Sequence, residues 1–181
     1  MALTKATYAM IEGAPANVLD FGADPTGATD STSAVWAAIQ SLRANPTQIL
    51  DTIGGNIITA YSSGTVYFPT GIYKVTPDSL LIYQDLGLQF KGEGSRRTNN
   101  AVLAPTTLLI SGTSSGYGIR VYRNGARGFT MEDLDICYAD AAFTGSVIDV
   151  LDCPGLTANR VYIGTDGITA LTRLQTAAAC V

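Results

Sequence analysis

Carboxylates carry the chemical potential of this chain. Its 181 residues include no histidine, which excludes a histidine-based triad, a histidine proton shuttle and any histidine-ligated metal within it. Cys137, Cys153 and Cys180 show no C-x-x-C spacing and are odd in number. They read as small buried apolar residues, not as a disulfide framework. Two groups of acids remain. Asp20, Asp24 and Asp30 lie in "NVLDFGADPTGATDSTSAVWAAIQ" at 17–40, and Glu132, Asp133, Asp135, Asp149 and Asp152 lie further along. Cleavage of a glycosidic bond needs paired carboxylates a few ångströms apart. Strands about 4.8 Å apart supply such pairs from neighbouring rungs. The apolar alternation points Asp135 and Asp149 outward, making them the candidate catalytic pair; an ordinary solvated outer face is the competing reading.

The first acidic group lacks the alternate acidic positions and closing glutamate of an EF-hand loop. Asp20 and Asp30 are expected to bond backbone amides of the turn and helix start. No metal and no cofactor is expected. "KGEGSRR" at 91–97 lacks the spacing and strand-to-helix context of a phosphate-cradling loop and reads as a tight turn. Tyr61, Tyr67, Tyr73, Tyr83, Tyr117, Tyr122, Tyr138 and Tyr162 suit two roles equally, stacking on sugar rings or ordinary strand formation.

The elements that must position these groups are mostly short strands. Charged residues are only 14% of the chain and glycines number 19, a composition of tight turns more than of long helices. The net charge of -4 gives no basic footprint for nucleic acid. No stretch reaches the roughly 20 apolar residues needed to cross a bilayer, and no apolar leader with a cleavage site opens the chain. "VLDF" at 18–21 suggests a leading strand, and "GADPTGATD" at 22–30 is turn chemistry throughout. Ala34, Val35, Ala38, Ile39 and Leu42 then form one stripe at helical period. With Thr29, Asp30 or Ser31 as N-cap and Asn45-Pro46 as stop, a helix is predicted over about 31–44. Trp36 is expected to pack at the open end or against a neighbouring chain. Strands are predicted at 65–68, 72–75, 80–83, 87–91, 107–111, 118–122, 129–136, 147–151 and 156–163.

Two of these segments repeat. "RGFTMEDLDI" from Arg127 aligns with "PGLTANRVYI" from Pro154, pairing Gly128 with Gly155, Leu134 with Val161 and Ile136 with Ile163, an offset of 155 − 128 = 27. Upstream, Ile119 and Val121 match Ile148 and Val150, an offset of 148 − 119 = 29. Strands that keep their pattern while loops vary predict a β-solenoid. A phase slip at Glu132-Asp133 and Asn159-Arg160 marks a corner, where asparagine suits the left-handed conformation.

The 17–40 stretch followed by "GTVYFPTGIYKV" at 64–75 resembles the start of right-handed parallel β-helix proteins of the pectate-lyase-like group. It is especially similar to bacteriophage tailspikes and tail fibres. The motif positions are Asp20, Phe21, Gly22, Ala23, Gly27, Asp30 and Thr32, then Gly64, Val66, Phe68, Pro69, Gly71 and Tyr73. "LGLQFKGEGS" at 86–95 matches the coil that usually follows. The chain departs from the family at Thr26, where an aspartate usually precedes the turn glycine, and in its length.

The resemblance implies a single-stranded parallel β-helix whose N-terminal end is covered by the helix, truncated here after about four coils of some 27 residues. It divides the chain into an arm at 1–17, a leading strand, turn and capping helix at 18–63, and the first coils at 64–181. It further implies a homotrimer in the virion tail, assembled in the host cytoplasm. The arm would contact other tail proteins or pack against adjacent chains, and later coils would bind a host surface polysaccharide. Whether the whole protein is a polysaccharide depolymerase, hydrolase or lyase, stays open; this portion is expected not to be catalytic. A non-catalytic adhesion fibre and a cellular polysaccharide lyase or glycoside hydrolase are the alternatives.

Overall fold

The computed structural model describes residues 13–50, 57–95, 105–122, 128–139, 143–151, 155–165 and 175–177. The chain begins with β1 (Ala16–Asn17). The "VLDF" that follows is not the expected strand but a 3-10 turn, Val18–Phe21. Asn17 sets it up, because its side chain accepts a bond from Leu19 N at 3.0 Å. Gly22 ends it in the left-handed conformation at φ 88. Part of the expected turn, in contrast, is an edge strand, β2 (Thr26–Asp30), which pairs irregularly with a strand of the first coil.

Asp24, rather than Asp20, organises this segment. Its two carboxylate oxygens accept bonds from the backbone N–H and the hydroxyl of both Thr26 and Thr29. These donors hold its carboxyl far below the usual carboxylate range, the Thr26 hydroxyl contributing most. Asp20 is exposed and stands outside this set. Asp30 behaves as expected: its Oδ1 accepts from Thr32 N at 2.9 Å. It thereby satisfies an otherwise orphaned amide of α1 (Thr32–Leu42), which lies inside the predicted span. Ser31, at the N-cap position, does not cap; its Oγ accepts from Asp24 N at 3.0 Å.

The apolar stripe of α1 covers one end of the solenoid. Val35, Ala38 and Ile39 are fully buried against a core that includes Val66, Phe68 and Tyr73. Trp36 is claimed by this chain: its indole N–H donates to Ser79 O at 2.7 Å.

The coils stack as parallel ladders. The first has β5 (Thr65–Tyr67), β6 (Gly71–Val75) and β7 (Leu80–Ile82). The second has β9 (Gln89–Lys91), β10 (Thr106–Ile110) and β11 (Tyr117–Tyr122). The third has β12 (Thr130–Tyr138) and β13 (Ser146–Leu151), and the fourth β14 (Thr157–Thr165) and β15 (Gln175–Ala177). The N-terminal half of β12 pairs with β9 and its C-terminal half with β10. Both repeats read from the sequence are physical register: Thr130 faces Thr157, Leu134 faces Val161, and Ile119 faces Ile148. The corner falls one residue later than asparagine would place it, at Asp133 (φ 55) and Arg160 (φ 51). Coil length is not uniformly near 27. Thr65 and Gln89 stack 24 residues apart, Lys91 and Glu132 stack 41 apart, and Glu132 and Asn159, like the rest of the β12–β14 register, stack at 27.

An aromatic column runs along the axis. Phe68, Phe90 and Phe129 meet edge to face with centroids 5.3 and 5.2 Å apart, a geometry favoured by the ring quadrupoles. Tyr73 joins it at 5.6 Å from Phe68, and its hydroxyl donates to Pro69 O at 3.0 Å. Burial holds the Tyr73 phenol up at about 12. These contacts explain the "YFPTGIY" spacing. Gly71 fits because a Cβ there would lie 2.7 Å from Pro25 Cβ.

A side sheet absent from the sequence reading flanks the coils. β3 (Ala44–Leu50) and β4 (Ile57–Ser62) form an antiparallel hairpin, and β8 (Asp85–Leu86) pairs with β4. Pro46, read as a helix stop, sits on the edge strand, where a missing N–H is tolerated. Arg43 fastens this sheet to the body. It makes a bidentate pair with Asp85 at 3.0 and 2.9 Å, and Ser63 Oγ donates to the same carboxylate at 2.8 Å. The guanidinium lies 5.5 to 5.8 Å from the rings of Trp36, Tyr61 and Tyr83.

Val35→Asp places a charge in the sealed end of the core and is expected to cost at least about 3 kcal/mol. Asp24→Asn, which keeps one acceptor oxygen, is expected to lower the urea unfolding midpoint by less. Arg43→Met and Asp85→Leu each strand a buried partner and are expected to cost about 3–5 kcal/mol singly. The double variant should be more stable than either, as a double-mutant cycle in urea will read.

Candidate functional site

The solenoid displays a polar ladder on the outside of β5, β9, β12 and β14. Val66, Phe90 and Met131 point into the core, so the alternate positions Tyr67, Lys91, Glu132 and Asn159 point out, as do Thr65 and Gln89. The ladder is bonded from rung to rung. Thr65 Oγ1 donates to Gln89 Oε1 at 3.0 Å, and Gln89 Nε2 to Glu132 Oε2 at 3.1 Å. Lys91 Nζ reaches the same oxygen at 3.2 Å. From the fourth coil, Asn159 Nδ2 and Arg160 Nη2 donate to Glu132 Oε1 at 3.3 and 2.9 Å. Arg160 also donates to both oxygens of Asp133, through Nε to Oδ1 and through Nη2 to Oδ2 at 2.7 Å. The left-handed corner thus becomes the place where an arginine bridges two coils.

A second carboxylate closes the other side. Glu93 accepts from the hydroxyl of Tyr67 and from the backbone N–H and hydroxyl of Thr70, at 3.1 and 2.5 Å. It staples the Pro69-Thr70 corner of the first coil to the second. The electrostatics follow from these donors. The Arg160 guanidinium holds Asp133 below the usual carboxylate range, and the Thr70 and Tyr67 hydroxyls do the same to Glu93. A general acid requires the opposite, a carboxyl raised towards neutrality. The chemistry that Glu93 and Asp133 suit is acceptance of hydrogen bonds as ionised groups.

Asp135 and Asp149 are not brought together. Asp135 has Thr107 and Tyr162 as its neighbours in adjacent coils, whereas Asp149 has Arg120 and Gln175. Nor does Asp135 face solvent: it is 0% exposed, and Ser95 Oγ donates to it at 2.7 Å. The alternation gave its direction; what covers it could not be read. Asp149 is bound to Arg120, Nη2 to Oδ2 at 2.6 Å. Asp152 lies outside the described residues, as do residues 1–12 of the arm and Arg96-Arg97. Among the described residues no group of three acidic or thiol ligands could hold a metal ion.

The tyrosines divide by environment. Tyr73 and Tyr138 are buried, Tyr61 and Tyr83 flank Arg43, and Tyr117 lies 4.2 Å from the Arg120 guanidinium. Tyr122, at 38% exposed, offers the most open ring among the described residues. From the sequence Lys91 and Glu93 read only as part of a tight turn and Arg160 only as part of a corner, and Gln89 is not singled out. Their alternate spacing was visible, but only the coil-to-coil register brings them together.

Parallel strands stacked in register around one apolar core, with a helix over one end, define a parallel β-helix. A family model described as rhamnogalacturonase A/epimerase, pectate lyase-like, matches residues 16–115, and the chain belongs to this family. The motif residues from Asp20 to Tyr73 all fall within the match. Among solved structures, a protein described as ORF18 of Geobacillus virus E2 shares the fold, with a TM-score of 0.50 at 23% identity. The alignment covers 83% of this chain and 24% of that one. No curated protein matches the chain. Among the described residues no helix is long and apolar enough to cross a membrane.

The ladder makes stability depend on acid. Folded-state values of Asp133 and Glu93 lie below their unfolded values. Their contribution is therefore present above about pH 4 and lost as pH falls through the depressed folded values. Urea midpoints should be level near neutrality and fall below about pH 4, with a shallower fall in Asp133→Asn.

Proposed function

We propose that this chain is part of a phage tail receptor-binding protein of the tailspike or tail-fibre kind, and that the whole protein recognises a host surface polysaccharide. The observation that carries the reading is the family's helix-capped first coil joined to a continuous outward ladder of hydroxyls, amides, carboxylates and cations. Such groups match the hydroxyl-rich surface of a saccharide. Likeness in fold to a viral protein, of which the alignment covers 24%, supports a place in a virion. In this reading residues 1–17 contact other tail proteins, 18–63 close the solenoid, and the coils from 64 onward begin a homotrimeric fibre.

A non-catalytic adhesion role is the second reading, favoured by Asp133 and Glu93 being engaged as hydrogen-bond acceptors within the ladder and by Asp135 and Asp149 lying on different faces of the coil. Incubating the full-length protein with purified host surface polysaccharide separates the two. Retention of intact polymer indicates adhesion, and shortened chains indicate a depolymerase. Neither retention nor shortening of any surface polysaccharide would overturn both. Deleting residues 1–17 is expected to remove the protein from purified particles, and unchanged incorporation would overturn the assignment of the arm.

A further inference from the structure

Two fully buried polar side chains stand side by side on the outside of the solenoid, where solvated groups are the rule. Along β10, Leu108 and Ile110 enter the core, so Thr107 points the opposite way, yet it is 0% exposed. Its register partner on the next coil is Asp135, also 0% exposed. Ser95 Oγ donates to Asp135 Oδ1, so the foot of the connection between β9 and β10 lies over this pair. That foot is narrow and fixed. Gly94 N donates to Asp133 O at 2.8 Å, Glu93 N donates to Thr106 Oγ1 at 3.0 Å, and a Cβ on Gly94 would lie 3.1 Å from Pro105.

Within this knot Thr107 Oγ1 has no hydrogen-bond partner in the protein. Orphaned buried hydroxyls are rare because the lost hydration is not replaced. Side chains on adjacent rungs start about 4.8 Å apart, and an internal water needs two to four polar partners. Thr107 Oγ1, the Asp135 carboxylate and Ser95 Oγ supply them. A calcium ion would need six to eight oxygens, more than this set offers.

We propose that a single internal water molecule is bound here, accepting from the Thr107 hydroxyl and donating to the Asp135 carboxylate. It ties the second coil to the third beneath Ser95. Asp135 is thereby a positioning residue, which goes beyond the functional reading and stands apart from it.

A crystal structure of the full chain at about 1.8 Å or better, with urea unfolding of Thr107→Val, tests this. The expected result is one density peak within hydrogen-bond distance of both Thr107 Oγ1 and Asp135. Thr107→Val should lose the peak and lower the folding equilibrium constant about fivefold, the weight of one ordinary hydrogen bond. Three results would overturn the proposal: no peak in the wild type, a valine variant as stable as the wild type or more so, or a peak with six or more oxygens at metal–ligand distances.

Discussion

Everything in this fold depends on each coil reading the register of the one before it. A parallel ladder has no turn of its own to fix alignment, so the side chains must do it. Inside, Phe68, Phe90 and Phe129 allow one vertical arrangement. Outside, Glu132 collects donors from the coils on both sides, Gln89 and Lys91 from one and Asn159 and Arg160 from the other. A slip of one residue would turn every apolar group to water and every ladder group into the core. Inner and outer faces thus impose the same constraint by different physics.

The closed end applies a second constraint. A solenoid cut across its axis exposes an apolar section and unpaired strand edges. Here α1 supplies the apolar cover, while β1 and β2 occupy the outer positions of the large sheet. The carboxylates of Asp24 and Asp30 shape the segment between them. Arg43 carries the closure outward, joining the last turn of α1 to the side sheet through a pair that only a matched carboxylate at Asp85 makes tolerable.

The architecture was legible because it repeats. Gly128 against Gly155 and Ile119 against Ile148 were visible as offsets, and those offsets are the hydrogen-bonded register. What was not legible had no periodic trace. The 3-10 turn at Val18–Phe21 turns on one asparagine side chain, and the β3–β4 hairpin hides behind a proline that reads as a stop. The expected Asp135–Asp149 pair failed for a topological reason: the two residues lie on different faces of the coil. Asp135 accepts a bond from Ser95, 40 residues earlier, a distance that no local pattern spans.

The neck at Gly94 and Pro105 shows how a coil interrupted by a longer connection still closes on itself. The chain departs and returns at almost one point, in a coil whose counterpart in the third layer turns the same corner with the single residue Asp133. Gly94 N donates to Asp133 O at 2.8 Å and Thr106 N to Gly94 O at 3.4 Å, so the second coil is closed at this corner by its own backbone and held there in step with the third.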